Sequence, residues 1–162
     1  MNSAIWSAVE EIVSGDMLVA LAVTGGGSAL LNWLFDHPGA SRVLLEAQIP
    51  YGNKVLEDYV QAPGPHRVAR ATARDMAAVA YGRARRCGDR PVAHLGVGLT
   101  AALATERARR GEDRAHLALR TAESYRFCEL NLRKGSAGRT EDRKSTRLNS
   151  SHSQQSRMPS SA

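Results

Sequence analysis

Cysteine is scarce in this chain. Cys87 and Cys128 are the only two, far apart, with no C-x-x-C spacing, which argues against a disulfide framework and points to free thiols in a reducing compartment. The histidines (His37, His66, His94, His116 and His152) form no H-x-x-x-H pattern, so no metal site is expected. No apolar run approaches the roughly eighteen residues that a membrane-crossing helix needs. The N-terminus has no basic segment ahead of its apolar residues and carries Glu10 and Glu11, unlike a secretory signal. These absences together predict a cytoplasmic protein with no membrane partner.

Aromatic residues are also missing where a single-strand nucleic-acid binder would need them. The dense basic cluster of Arg83, Arg85, Arg86 and Arg90 has none interleaved. Arg67, Arg70 and Arg74 recur at helical spacing, the pattern of a solvated face. The net charge of +6 is unevenly spread: Lys144, Arg147 and Arg157 lie in a final stretch with no acidic residue, so half of the excess sits there. A nucleic-acid partner is not expected. The length of 162 residues, 43% apolar and 23% charged, suits one globular domain with a proper core.

The periodicity orders the chain. Ile5, Ala8, Val9, Ile12 and Val13 follow a helical period that stops at Gly15. A strand is predicted over Leu18 to Val23, then a glycine turn and a helix ending at Pro38-Gly39. A second strand over Val43 to Ala47 and a short helix from Gly52 to Gln61 come next. Val68 to Arg86 is the clearest helix, with Ala69, Ala73, Met76, Ala77, Ala80 and Ala84 on one narrow face, so its backbone can lie close to a sheet. Strands are expected at Val92 to Gly98, Arg114 to Thr121 and Tyr125 to Leu132, with a loop or short helix over Ala101 to Gly111. Helices alternating with strands early, and consecutive strands late, predict an α/β fold: a three-layer Rossmann-like domain whose mixed, mostly parallel sheet turns hairpin-like toward the end. Residues 1–143 would form the domain. Residues 144–162, serine-rich and nearly devoid of large apolar residues, read as disordered and resemble translated adapter or cloning sequence, in which case the natural protein continues beyond about residue 143.

The chemistry concentrates between Ala20 and Tyr51. Thr24 ends the first strand-like run, and Gly25, Gly26 and Gly27 follow, then Ser28 and an apolar helix. Glycines there allow close approach to the main chain, and amides opening the helix would face a phosphate or a developing oxyanion. The same turn serves equally as a tight connection with no ligand, because neither G-x-G-x-x-G nor G-x-x-x-x-G-K-[ST] is satisfied.

These pieces resemble the CinA C-terminal domain family, whose active members are nicotinamide mononucleotide amidohydrolases with a Rossmann-like fold. Val23-Thr24-Gly25-Gly26-Gly27-Ser28 is similar to the family's Glu-Ser-x-Thr-Gly-Gly turn with its nucleophilic serine. Pro38-Gly39-Ala40-Ser41 is similar to Pro-Gly-Ser-Ser, and Tyr51-Gly52-Asn53-Lys54-Val55-Leu56 to Tyr-Ser-Asn-x-x-Lys. Gly98-Leu99-Thr100-Ala101-Ala102 is similar to the family's Thr-Gly-Ile-Ala-Gly turn. The resemblance spans Ala8 to Arg139. In a gapless register Thr24 takes the nucleophile's place; an alternative with a two-residue insertion puts Ala22 there. In both, Leu56 replaces the lysine, and Ala101 replaces a glycine.

The resemblance therefore implies a degenerate member, a pseudoenzyme closer to the CinA-like domains found beside cytidylyltransferase-like domains than to the active deamidases. A hydroxyl nucleophile needs an adjacent base; Lys54 is two positions off, and a phenol such as that of Tyr51, ordinarily titrating near pH ~10, is a poor one at neutrality. The expected function is binding of a small, phosphorylated, nucleotide-like ligand at Thr24, Gly25, Gly26, Gly27 and Ser28, completed by Tyr51, Asn53 and Thr100, with no cofactor. Each of the last three has a purely structural alternative: packing under the turn, closing a local turn, and capping a helix. Two further readings stand beside this one. Hydrolysis of the mononucleotide amide survives, with Thr24 as nucleophile and a base from outside the family pattern, or the chain is a homodimerisation or docking module resting on its alanine face and first helix.

Overall fold

The computed structural model describes residues 3–102 and 113–132. Helix α1 (Ser3–Ser14) buries Val9 and Val13 and ends where the Gly15 amide bonds the Ile12 carbonyl. Strand β1 (Met17–Gly25) is buried from Leu18 through Thr24, the continuous apolar run of a strand covered on both faces. A 3₁₀ turn at Gly26–Ser28 leads into the seven-residue helix α2 (Ala29–Phe35). Strand β2 (Leu44–Gln48) follows, then helices α3 (Asn53–Val60) and α4 (Arg70–Cys87) and strands β3 (Ala93–Ala102), β4 (Asp113–Arg120) and β5 (Tyr125–Leu132).

The five strands form one sheet in the order β2-β1-β3-β4-β5. β1 pairs in parallel with β2 and β3, whereas β3-β4 and β4-β5 are antiparallel. The mixed sheet, parallel first and hairpin-like last, is thus the one that the order of periodicities predicts. Side chains of β1 alternate between layers. Val19, Leu21 and Val23 pack with Val9 and Val13 of α1 and Leu31 and Leu34 of α2. Ala20 meets Ala80 and Ala84 of α4, and Ala22 meets Leu56 of α3 and Met76 of α4. Helices on both faces make three layers, the Rossmann-like arrangement expected.

The alanine face of α4 does what its narrowness suggests. Ala73, Met76, Ala77, Ala80 and Ala84 are fully buried. A methyl on Gly96 would collide with the Ala77 carbonyl and the Tyr81 amide, and one on Gly98 with the Ala73 carbonyl and the Ala77 amide. Small residues on helix and strand together let the two backbones touch.

Strand β3 differs from its expectation. It continues through Ala102, so Gly98–Ala102 is extended strand and not a turn; antiparallel pairing with β4, in register from Gly96 to Ala102, holds it straight. The first two residues of the expected 101–111 connection are therefore strand, and the remainder lies outside the described residues, as do the expected polar loop at 134–139 and residues 144–162.

Two polar ties join the layers. His37 Nε2 donates to Glu10 Oε2 at 2.6 Å, while its Nδ1 accepts the Gly39 amide at 3.1 Å. That clamps α1 onto the segment after α2 and holds the Glu10 carboxyl below its usual range. Across the other face, Arg83 of α4 grips both carboxylate oxygens of Glu46 on β2, with Nη2 to Oε2 at 2.5 Å. This fork-to-fork geometry also lowers the Glu46 pKa.

Candidate functional site

The chain leaves β1 toward β2 on one side and reaches β3 on the other, so strand order reverses between β1 and β3. In open α/β sheets, ligands bind outside the carboxyl ends of the strands at such a reversal. Thr24 and Thr100 stand there as register partners of the parallel β1-β3 pair. Both are buried, Thr100 to 1% exposure. Thr24 follows Ala20 and Ala22 on its strand, and Thr100 follows Gly96 and Gly98, so both hydroxyls belong to the α3/α4 face. The α4 helix begins on this edge. Its N-cap is Ala69, which offers no side-chain acceptor to the first-turn amides.

The glycine turn is more tightly enclosed than its composition suggests. Gly25 has φ of 76° and ψ of −131°, a conformation only glycine adopts readily. A methyl there would strike the Ala101 carbonyl, and one on Gly27 would strike the side chains of Leu99 and Val23. Close approach of β3 thus accounts for glycine at 25 and 27. Ser28 sits at the N-cap of α2 with no capping bond from its side chain.

The remaining site residues separate. Tyr51 is 64% exposed and does not pack beneath the turn. Asn53 opens α3 and faces solvent. Thr100 caps no helix, since it lies inside β3. Lys54 points outward, 95% exposed, and pairs with Glu57 at 3.3 Å, as its offset from the lysine position implies. Leu56, which the resemblance sets at the family's lysine, is buried against Ala22 and Met76; Ala22 lies two residues along β1 from Thr24, on the same face. Tyr59 joins the same cluster, and burial pushes its phenol up to about 12, so it cannot serve as a base near neutrality. An open depression lined by Lys54, Asp58, Gln61 and Pro63 lies on the outer side of α3, facing away from the threonine pair.

The sequence reading missed a polar neighbour of this pair. His116 of β4 is the register partner of Thr100, and Glu129 of β5 is the register partner of His116. Thr24, Thr100, His116 and Glu129 therefore form one polar row across four strands on the α4 face. His116 Nδ1 lies 3.8 Å from Glu129 Oε2, and its buried Nε2 has no hydrogen-bond partner among the described residues. Burial pushes the imidazole below its usual range; Arg114 and Arg70 push the same way and Glu129 opposes them. A polar residue at an inward position of an otherwise apolar alternation, Ala115-His116-Leu117-Ala118, is a signal the sequence offered. Only the strand register could place it beside Thr100.

No family model and no curated protein matches this chain. Solved structures do. The competence/damage-inducible protein CihA from Agrobacterium tumefaciens is 22% identical, superposes with a TM-score of 0.70 and shares 90% coverage of each chain. A CinA superfamily protein from Escherichia coli gives a TM-score of 0.62 at 13% identity over 86% of this chain and 78% of that one. The competence damage-inducible protein A from Klebsiella pneumoniae gives 0.60 at 12% identity over 90% and 89%. These superpositions cover most of the chain at TM-scores of 0.60 to 0.70, so the chain has the fold of the CinA superfamily proteins.

Proposed function

We propose that this CinA-fold chain binds a small phosphorylated mononucleotide in the crevice at the carboxyl ends of β1 and β3 and does not hydrolyse it. The carrying observation is the buried Thr24–Thr100 pair at the strand reversal, with apolar Leu56 packed on the same face. The threonine hydroxyls and the nearby backbone amides are donors for a ligand's polar groups. Deprotonating Thr24 is another matter: the buried neighbour that would carry an amine is a leucine, and burial pushes the phenol of Tyr59, packed in the same cluster as that leucine, up to about 12. Without a base next to it, a threonine hydroxyl is a poor nucleophile, and the strand carrying Thr100 stands between Thr24 and His116.

Titration calorimetry with nicotinamide mononucleotide tests the binding. Thr100→Val keeps the volume and removes the hydroxyl, and should weaken binding by about three- to tenfold, the worth of one neutral hydrogen bond. Ammonia release should stay far below about 1 per second. Turnover at that rate, lost in Thr24→Ala, would establish an amidohydrolase instead.

A further inference from the structure

We infer that the ligand's anionic group sits beyond β3, between His116 and the first turn of α4, and that His116 is the residue that senses it. This rests on the mononucleotide-binding reading and says which part of the ligand lies where. The argument begins with the unpartnered Nε2. The His116 side chain is more than nine-tenths buried, and a buried polar atom left unsatisfied costs on the order of 1–3 kcal/mol. Native proteins keep such atoms chiefly where something else satisfies them.

The direction it faces is set by register. Ala118, two residues along β4, packs beneath Ala73 and Ala77 of α4 together with Phe127 of β5. His116 is the next residue on that face toward the carboxyl end of β3, level with Thr100. There it meets the start of α4: Arg70, the helix's first residue, lies over the Phe127 ring at 3.9 Å and acts on the His116 charge. The amides opening an eighteen-residue helix whose N-cap is an alanine, the Arg70 guanidinium, the Arg114 guanidinium and an imidazole make a site for negative charge. At the glycine turn, by contrast, Gly25 and Gly27 already have protein against the space a side chain would fill.

The groups facing His116 set its proton chemistry. From β5 the Glu129 carboxylate favours a proton on Nδ1, leaving Nε2 an acceptor in the neutral ring. From β4 and α4, Arg114 and Arg70 oppose a second proton; from β3, Thr100 brings no charge. An anion between Nε2 and the helix start reverses that balance. It makes protonation of Nε2 favourable, and by linkage its own affinity must rise as pH falls through the imidazole range.

The probe is sulfate, a dianion throughout the range, with nicotinamide mononucleotide beside it, titrated calorimetrically between pH 8 and 5.5. Sulfate affinity in the wild type should rise about tenfold, the equivalent of one pKa unit. His116→Gln should flatten that rise. Should the variant fail to fold, the His116 imidazole proton resonances in the wild type carry the test, and saturating sulfate should raise their titration midpoint by about one unit. Mononucleotide binding with an unmoved His116 midpoint overturns this assignment and leaves the function reading intact. Affinity that falls on acidification places a hydrogen-bond donor on Nε2 and also overturns it. No binding of either probe at millimolar concentration overturns both.

Discussion

Glu46 shows how a single residue ties two layers on the helical face of the edge strand. Its carboxylate lies mostly shielded beneath Arg83, and the bidentate contact holds its pKa below the usual value. A carboxyl whose folded pKa is depressed stabilises the protein above its unfolded pKa of about 4.5 and loses that stability as pH falls through the folded value. Glu46→Gln should therefore lower stability by about 1–2 kcal/mol at pH 7, the range of a charge-assisted hydrogen bond partly open to solvent. Thermal melts of both proteins from pH 7 to 3 check this: the gap between their melting temperatures should close on the acid side. Leu56 makes the complementary point. Buried against Ala22 and Met76, it supplies core packing on the face of β1 that also carries Thr24.

At the scale of elements, α4 and β3 define the central packing contact. Their approach depends on Gly96 and Gly98 as much as on the alanines facing them. Gly98→Ala puts a methyl into the Ala73 carbonyl and Ala77 amide and should cost about 1–3 kcal/mol or more, the range for overpacking a tight core. Gly82, on the exposed side of the same helix, has nothing within 4 Å of an added methyl. Gly82→Ala should stabilise by about 0.5–1 kcal/mol through helix propensity alone. Urea unfolding of the two variants gives both signs in one experiment, and equal effects would contradict the packing described.

Across the whole molecule, the features that suggested a docking module are largely spent inside the domain. The alanine face lies on the sheet and Val9 and Val13 lie in the core, while Ile49, Tyr51 and Val55 remain exposed near the β2 edge. Among the described residues no helix is long and apolar enough to cross a membrane. Part of the basic cluster is engaged locally: Arg83 on Glu46, and Arg90 on the Arg42 carbonyl. Residues 144–162 lie outside the described residues, and their composition carries its own expectation. Too little apolar surface is present to offset an ordering cost of roughly 1–2 kcal/mol per residue. A chain ending at residue 143 should melt at the same temperature by scanning calorimetry, and a large drop would show native structure there.

The sequence by itself determined the element order, the mixed character of the sheet and the close helix over residues 70–87, because period and punctuation are local and survive without knowledge of partners. It also marked Thr24 and Thr100, through residues adjacent to turns or to a resembling motif. What it could not reach depended on register. Whether Gly98–Ala102 turns or extends was settled by pairing with β4. The enclosure of the glycine turn came from the carbonyl of Ala101, distant in the chain. His116 stands level with Thr100 only because antiparallel pairing sets it there, a juxtaposition of residues on separate strands that no local pattern encodes.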